Sequence, residues 1–311
     1  MIDTSTNALT DKQIDAPINM EFVPEWTDQL ANQINDFVTK NNDDERPDIW
    51  ARSPKLVIFH ANDDRPSRLY LRNKMHYAER LGVDVEFKTP ENTKELEQDM
   101  MWYLTPVDGR PVQMMLQQPA DSQMINTFVE ILDQYQPNLD VEGVTWTHQM
   151  ALRNAAMNGH LPEDLILPCT VAGDLKLMNH YLPDYNYDGK VALIIGRSDI
   201  TGTPAADVFE ALNCTVIKAN SHTKNLDQLC QIADIIVSCV GHANLVTDCK
   251  PGAVLIDNGI SYVHGKYHGD ISNQCYSKTL AYTPYLNATG RTTVHCLYEN
   301  LLKNQRKFFN D

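Results

Sequence analysis

The stretch VALIIGRSDITGTP, residues 191–204, decides the fold of this chain. Val191–Ile195 is an apolar run of strand length, a turn with glycines at positions 196 and 202 follows, and a helical pattern begins near Pro204. A strand, a glycine-bearing turn and a helix in this order are typical of the place where a Rossmann fold binds a pyrophosphate. The spacing is not GxGxxG, so on this segment alone an ordinary strand-to-helix turn stays an open alternative.

The same alternation of short strands and helices extends in both directions from this segment. Before it, the pattern predicts strands at 56–60, 83–88 and 112–116 and helices at 67–81, 92–103 and from 121 or 122 to about 135. After it, the pattern predicts strands at 215–218, 235–239 and 253–257 and helices at 204–212 and 226–232. Such an alternation of strands and helices implies parallel βαβ units. We therefore expect an α/β protein with two βα domains, the second a Rossmann-type domain with a parallel sheet.

Length, charge and cysteine usage exclude several classes of protein. The chain has 311 residues, enough for two domains, and a formal net charge of -15, which repels phosphate backbones and anionic lipid. We expect no nucleic-acid partner and no membrane partner. The seven cysteines are odd in number and form no CxxC pair, which argues against a disulfide framework and a zinc site. Residues 1–16 are polar and resemble no signal peptide, so we expect a disordered tail and a cytoplasmic protein.

The strand ends around the glycine turn indicate which dinucleotide is bound. An NAD enzyme usually has an acid after the second strand, but residues 218–223 read Lys-Ala-Asn-Ser-His-Thr. Arg197 and Ser221 suit the 2′-phosphate of NADP instead, through charge-assisted hydrogen bonds, and NAD is the less favoured cofactor. Val240-Gly241 and Asn258-Gly259 end the next two strands, as expected if a ligand lies across this edge, although each glycine also suits a plain turn.

The first half of the chain carries candidate catalytic side chains. Tyr70 and Lys74 lie four residues apart on a predicted helix and therefore share one face. YxxxK by itself is a weak signal, because a lysine on a helix is usually solvated. Short-chain dehydrogenases use the same motif but place it after their glycine turn, so this chain matches them poorly. Gln117 ends the third strand and Glu142 lies in a loop, where a polar side chain is commonly just solvated. The sequence alone leaves open whether these four residues meet in one cleft.

Taken together, the motifs resemble those of the methylenetetrahydrofolate dehydrogenase/cyclohydrolase family. The run from Asp63 to Lys74 is similar to that family's acidic turn, serine and YxxxK helix. The segments that match the family's other motifs, in order, are LQQP at 116–119 for VQLP, DVEG at 140–143 for DVDG, LPCT at 167–170 for PCT, GRSDITGTP at 196–204 for GRSxxxGxP, KPGAVLID at 250–257, and Gly269-Asp270. The resemblance extends from about Pro54 to Leu302.

The resemblance implies a bifunctional enzyme of one-carbon metabolism. Methylene-tetrahydrofolate gives a hydride to NADP, and water then opens methenyl-tetrahydrofolate to formyl-tetrahydrofolate. It implies that Lys74 is the acid/base group of the water step, that Gln117 orients and tunes this lysine, and that Glu142 grips the pterin ring. The implied folate contacts are Ser67, Tyr70, Gln117, Glu142 and Gly290. The implied cofactor contacts are Gly196, Arg197, Ser198, Gly202, Ser221, Val240, Gly241 and Ile260. No metal is implied.

The chain departs from the family's pattern on the folate side. Where the family has a PGGVGP loop, residues 286–291 read Leu-Asn-Ala-Thr-Gly-Arg, and residues with a Cβ cannot reproduce a backbone path that needs glycine. Asn258 replaces the valine of DVGI, and Val171 replaces a proline. These changes keep two alternatives open. One is a related α/β dehydrogenase, such as the shikimate type, acting on another small substrate, and the other is a non-catalytic dinucleotide-binding sensor.

The resemblance also predicts the division of the chain and its assembly. We expect a polar tail at residues 1–20, a folate domain formed by residues 21–158 and 285–311, and an NAD(P)-binding domain at residues 159–284. The last helix, predicted from about Thr293 to Phe309 with Val294, Leu297, Leu301 and Phe308 on one face, is expected to return to the first domain. A homodimer is the expected assembly.

Overall fold

The computed structural model describes residues 16–40, 53–61, 65–106 and 110–309, with the backbone alone for residues 65–70. Residues 1–15 of the predicted tail therefore lie outside the described residues. In the first part of the chain the helices and strands are β1 (Ile18–Asn19), α1 (Glu25–Lys40), β2 (Lys55–Phe59), α2 (Arg65–Leu81), β3 (Asp84–Lys88), α3 (Thr93–Tyr103), β4 (Val112–Leu116), α4 (Ser122–Tyr135) and α5 (Trp146–Asn158). Strands β2, β3 and β4 form a parallel sheet in the order β3-β2-β4.

The rest of the chain forms a second sheet and the helices around it. Its elements are α6 (Cys169–Tyr181), β5 (Val191–Ile195), α7 (Gly202–Ala211), β6 (Thr215–Ala219), α8 (Leu226–Ile232), β7 (Ile235–Ser238), β8 (Val254–Asp257), β9 (Ile260–Val263), β10 (Lys266–Gly269), β11 (Ala281–Tyr282) and α9 (Thr289–Phe309). The parallel sheet has the order β1-β11-β8-β7-β5-β6, and β9 and β10 form a separate antiparallel hairpin. The predicted α/β class, with a Rossmann-type second half, is confirmed.

Most predicted elements agree with the structure to within about three residues. Helix α3 has Asn92 as its N-cap, and α4 has Asp121, whose carboxylate accepts from the amide of Gln123. Such caps satisfy amides that the helix itself leaves unpaired. Helix α6 begins at Cys169 with Pro168 before it, and Thr170 lies within its first turn.

Helix α9 returns to the first sheet, as predicted. Its residues Leu297 and Leu301 are buried in one cluster with Leu56 and Ile58 of β2. The hydroxyl group of Tyr298 donates to the backbone oxygen of Lys74 at 2.8 Å, which joins α9 to α2. The predicted apolar face is wrong at its end, since Phe308 is 43% exposed.

The division of the chain into a tail and two domains, with boundaries after residues 20, 158 and 284, stays a proposal. The strands of the first sheet lie within residues 55–116 and those of the second within 18–19 and 191–282. Strand β1, inside the expected tail, pairs with β11, an association that the sequence does not predict. In the described residues no helix is both long and apolar enough to cross a membrane.

Candidate functional site

A buried lysine lies between α2 and the end of β4. Lys74 is 7% exposed, and its Nζ donates to Oε1 of Gln117 at 2.8 Å and lies 3.6 Å from Sδ of Met115. Gln117 follows β4 directly, and its amide donates to the backbone oxygen of Phe59 at 2.8 Å, which extends the sheet ladder by one residue. The other end of the Gln117 side chain donates from Nε2 to the backbone oxygen of Gln118 at 2.6 Å. Hydrogen bonds therefore hold both the backbone amide and the side-chain amide of Gln117, and its Oε1 fixes the position of the Lys74 ammonium group.

The loop after the short 3-10 helix Pro137–Leu139 is held by one buried carboxylate. Oδ1 of Asp140 accepts from the amides of Glu142 and Gly143 at 2.8 and 3.0 Å, and Oδ2 accepts from the amide of Thr145 at 2.8 Å. Gly143 has a φ of +67°, and a Cβ there would lie 2.9 Å from the carbonyl carbon of Leu167. The loop path therefore requires glycine at this position, and it fixes the backbone from which Glu142 extends.

The pKa values of Lys74 and Glu142 are both shifted, and each group affects the other. Burial lowers the pKa of Lys74, and the nearby Glu142 carboxylate partly offsets this change. Burial raises the pKa of Glu142 to about 7, although Lys74 opposes the increase and Asp140 adds to it. Both groups therefore change protonation state more readily near neutral pH than their exposed counterparts do. Groups with pKa values shifted toward the working pH are suited to general acid–base chemistry.

Cys169 and Asn300 support this cluster from behind. The thiol of Cys169 donates to the backbone oxygen of Val141 at 3.2 Å. Nδ2 of Asn300 on α9 donates to the same oxygen at 2.9 Å and to the backbone oxygen of Leu167 at 3.0 Å. Burial raises the pKa of Cys169 well above its usual value, so this thiol stays neutral. Cys169 belongs to a sequence motif, whereas no local signal marks Asn300, because its contacts cross more than 130 residues.

The remaining predicted folate contacts are only partly described. Residues 67 and 70 lie on α2, but their side chains are outside what the structure describes. Gly290 lies in the first turn of α9 and is exposed, with open space where a Cβ would be. Asn287 adopts a φ of +65°, a left-handed conformation that asparagine tolerates better than most residues, so this part of the loop is formed without glycine.

The predicted cofactor turn joins β5 to α7. Gly196 has a φ of +123°, and a Cβ there would lie 2.5 Å from Sγ of Cys239. A Cβ on Gly202 would lie 2.6 Å from the carbonyl carbon of Gly196. Oγ of Ser198 accepts from the amides of Thr201 and Gly202 at 3.3 Å. The turn therefore brings backbone amides and the start of a helix close together without side chains between them, which is a cradle that fits a dinucleotide pyrophosphate.

A buried aspartate holds the next loop along the sheet edge. Oδ2 of Asp270 accepts from the amides of Val240 and Gly241 at 2.9 and 3.3 Å, and Oδ1 accepts from the amide of His242 at 2.6 Å. The hydroxyl group of Ser238 also donates to Oδ2, at 2.8 Å. Asp270 matches a family motif in the sequence, but no role was predicted for it. The structure shows that it shapes the Val240–His242 loop.

The predicted cofactor residues all lie at one edge. Gly196, Arg197, Ser198 and Gly202 lie in the turn after β5, Ser221 follows β6, Val240 and Gly241 follow β7, and Ile260 begins β9 just after β8. Because β6, β5, β7 and β8 are neighbouring parallel strands, these positions share the carboxyl edge of the sheet. The arrangement fits an extended dinucleotide lying across that edge. Within the described ranges, no group of three metal-ligating side chains forms a metal site.

Fold and site together define a two-domain α/β protein with a Rossmann-type dinucleotide-binding half. Residues 168–309 match the model of the tetrahydrofolate dehydrogenase/cyclohydrolase NAD(P)-binding domain. The bifunctional protein FolD of Lactobacillus acidophilus is 34% identical over 263 residues, which cover 82% of this chain and 88% of that protein. The FolD protein of Zymomonas mobilis is 33% identical over 307 residues, covering 92% and 95% of the two chains. The chain belongs to the tetrahydrofolate dehydrogenase/cyclohydrolase family.

Solved structures agree with this assignment at the level of the fold. The FolD methylenetetrahydrofolate dehydrogenase/cyclohydrolase of Campylobacter jejuni has a TM-score of 0.79 and 24% identity, covering 91% of this chain and 95% of that one. The FolD enzyme of Trypanosoma brucei, solved with NADP and an inhibitor, has a TM-score of 0.78 and 21% identity, covering 92% and 95%.

Proposed function

We propose that Lys74, Gln117 and Glu142 carry out the chemistry of a bifunctional folate enzyme. The chain oxidises methylene-tetrahydrofolate to methenyl-tetrahydrofolate with NADP and hydrolyses the product to formyl-tetrahydrofolate. The observation that carries the assignment of roles is the 2.8 Å hydrogen bond between the buried Nζ of Lys74 and Oε1 of Gln117. A solvated lysine would have neither this partner nor this burial.

The water step uses Lys74 as its acid/base group. Burial lowers the pKa of Lys74, which makes proton release from Nζ easier near neutral pH. The Gln117 oxygen orients Nζ, because its own amide is held by the backbone oxygen of Gln118. The Glu142 carboxyl group holds the pterin ring through the ring's N–H donors. Its position depends on the loop that Asp140 ties down.

The dehydrogenase step requires positioning more than proton transfer. When NADP is bound, its nicotinamide ring accepts the hydride, and a direct transfer between carbons needs no protein base. The turn at Gly196–Gly202 binds the pyrophosphate, and the Val240–Gly241 loop borders the ring-binding part of the edge. Ser67, Tyr70 and Gly290 are proposed to contact the folate, with Tyr70 packing on it one helical turn before Lys74.

The preference for NADP is attributed to Arg197 and Ser221. Arg197 is exposed in the turn after β5, and Ser221 is exposed just after the neighbouring strand β6. No acidic side chain follows β6 in residues 219–223, so nothing there repels a 2′-phosphate. A guanidinium group and a hydroxyl group at this corner suit a phosphate better than a ribose diol.

We also propose that the protein is a homodimer that acts in the cytoplasm. The β9–β10 hairpin supports the first proposal, because its Tyr262 and Tyr267 side chains are 65% and 50% exposed and pack on each other. Exposed aromatic side chains of this kind are frequent at protein interfaces. All seven cysteines are free thiols, which suits a reducing compartment.

Purified protein tests the proposed function directly. The protein should reduce NADP in the presence of methylene-tetrahydrofolate and should hydrolyse methenyl-tetrahydrofolate, both followed by absorbance. Calorimetry should detect binding of tetrahydrofolate as well as NADP. Binding of NADP without binding of any folate would reject the folate assignment and would favour a sensor or another substrate.

A further inference from the structure

A polar pair is buried between α6 and the end of β8. Nδ2 of Asn258 donates to Oδ2 of Asp174 at 2.6 Å. Asp174 is 2% exposed, and Asn258 is half-buried as the first residue after β8. Oδ1 of Asp174 and Oδ1 of Asn258 are both buried, and neither has a hydrogen-bond partner within the described part of the chain. Two unpaired polar atoms in one buried pair are costly, so their retention requires an explanation.

The pair lies at the edge where the cofactor is expected. The amide of Asn258 donates to the backbone oxygen of Ser238, the last residue of β7, at 2.8 Å. Burial raises the pKa of the Cys239 thiol to about 12, Asp174 adds to the increase, and the same sulfur lies against Gly196 of the cofactor turn. Asp174 and Asn258 therefore lie beside the loops that follow β5, β7 and β8. The nicotinamide end of a dinucleotide is bound at this part of a Rossmann sheet.

We propose that Asp174 and Asn258 form the receptor for the carboxamide group of the nicotinamide ring. This inference rests on the proposed function, in that it takes NADP to be the bound dinucleotide. A carboxamide has one oxygen that accepts and one NH₂ group that donates. The two free positions of the pair are complementary to it: the carboxyl group of Asp174 donates to the carboxamide oxygen, and Oδ1 of Asn258 accepts from the carboxamide NH₂.

The protonation state of Asp174 supports this pairing. Burial raises the pKa of Asp174 to about 8, which the hydrogen bond from Asn258 only partly offsets. At neutral pH the carboxyl group is therefore mostly protonated and has an O–H to donate. Both Oδ1 atoms are buried, but Asn258 as a whole is half-buried and rotation of its terminal amide is a soft torsion. A carboxamide entering the cleft therefore needs only a local side-chain adjustment.

A single substitution at Asn258 tests the proposed carboxamide receptor. Asn258→Val removes the amide and installs the residue that the family's DVGI motif has at this position. The double variant Asp174→Leu/Asn258→Val also removes the carboxyl group, so it avoids leaving an unpaired acid in the core. Asp174→Asn keeps a side chain that both donates and accepts. Circular dichroism and thermal unfolding show whether each variant is folded.

The test compares NADP with its 3-acetylpyridine analogue, which has a methyl group in place of the carboxamide NH₂. Dissociation constants of both are measured by calorimetry on the full-length protein. We expect the wild type to bind NADP about three- to tenfold more tightly than the analogue, as one hydrogen bond allows. The ratio should fall to near one in Asn258→Val and in the double variant, and it should survive in Asp174→Asn.

Arg197→Ala is the matched control, because it acts at the opposite end of the cofactor. It should weaken both ligands equally and leave their ratio unchanged. If folded Asn258→Val keeps the wild-type ratio, the carboxamide receptor is wrong. If the wild type binds no NADP at all, the proposed function itself is wrong, and the two failures are thereby distinguished.

Discussion

Nζ of Lys74 on α2 and Oε1 of Gln117 after β4 lie 2.8 Å apart, although 43 residues separate them in the sequence. The bond joins a helix to the carboxyl end of a strand in the first sheet. It removes a lysine from solvent and gives its ammonium group a neutral partner. A neutral partner does not offset the effect of burial as a carboxylate would, so the pKa of Lys74 stays lowered.

Replacing that neutral partner with an acid should shift the pH dependence of the water step. In Gln117→Glu, a carboxylate next to Nζ stabilises the ammonium form and raises the pKa of Lys74. The limb of the cyclohydrolase pH–rate profile that Lys74 sets should therefore move to higher pH. The exposed helix residue Gln123 offers a control, since Gln123→Glu should leave the profile in place. An unchanged profile in active Gln117→Glu would show that Gln117 does not tune the lysine.

Arg197 should determine cofactor choice. Removing the guanidinium group in Arg197→Ala should weaken NADP binding about tenfold or more, because charge-assisted hydrogen bonds contribute roughly 1.5–3 kcal/mol. NAD, which lacks the 2′-phosphate, should lose little. Calorimetry with both dinucleotides measures the difference. Arg80→Ala, which removes an exposed arginine on α2, should affect neither, and equal losses for NADP and NAD in Arg197→Ala would contradict the assignment.

Asp140 should matter for stability more than any exposed acid nearby. Asp140→Ala removes a buried carboxylate that accepts from three backbone amides and lies 3.2 Å from Nδ1 of His148. The loss should reach about 3 kcal/mol or more in the free energy of unfolding, measured by urea denaturation. Asp133 is the comparison, because it accepts from the amides of Trp146 and Thr147 at the start of α5 but is more exposed. Asp133→Ala should cost about 1 kcal/mol. Equal losses would mean that burial of Asp140 adds nothing.

The sequence predicts the fold well wherever a local pattern determines the element. The apolar run of β5 and the starts of α3 and α4 are local signals, and the structure agrees with them. Helix α5 has no comparable apolar stripe and was not predicted. The β9–β10 hairpin was also missed, because its residues are mostly exposed and have no alternating pattern of buried side chains.

The residues of the candidate site were likewise predicted only where a local motif marks them. Motif order led to Lys74, Gln117 and Glu142; in the structure Lys74 donates to Gln117, and the Glu142 carboxylate affects the pKa of Lys74. The supporting residues Asn300 and Asp270, and the pair Asp174–Asn258, depend on contacts between distant segments that no spacing in the sequence reveals. The loop at residues 286–291, on the predicted folate side, departs from what its sequence led us to expect. Asn287 adopts the left-handed conformation that the sequence analysis reserved for glycine, so a change of residue type there does not by itself exclude the backbone path.

The central claim is that Lys74 is the acid/base group of the water step, and Lys74→Met tests it most directly. Methionine keeps the length of the side chain and removes the amine, and loss of a general acid/base group typically costs roughly 10²–10⁴-fold. Lys94→Met, which alters an exposed lysine on α3, is the control. The measurement is the rate of methenyl-tetrahydrofolate hydrolysis, with NADP affinity measured in parallel. We predict that hydrolysis falls by that factor in Lys74→Met while NADP affinity stays within twofold of wild type. Hydrolysis at the wild-type rate in folded Lys74→Met would contradict the account.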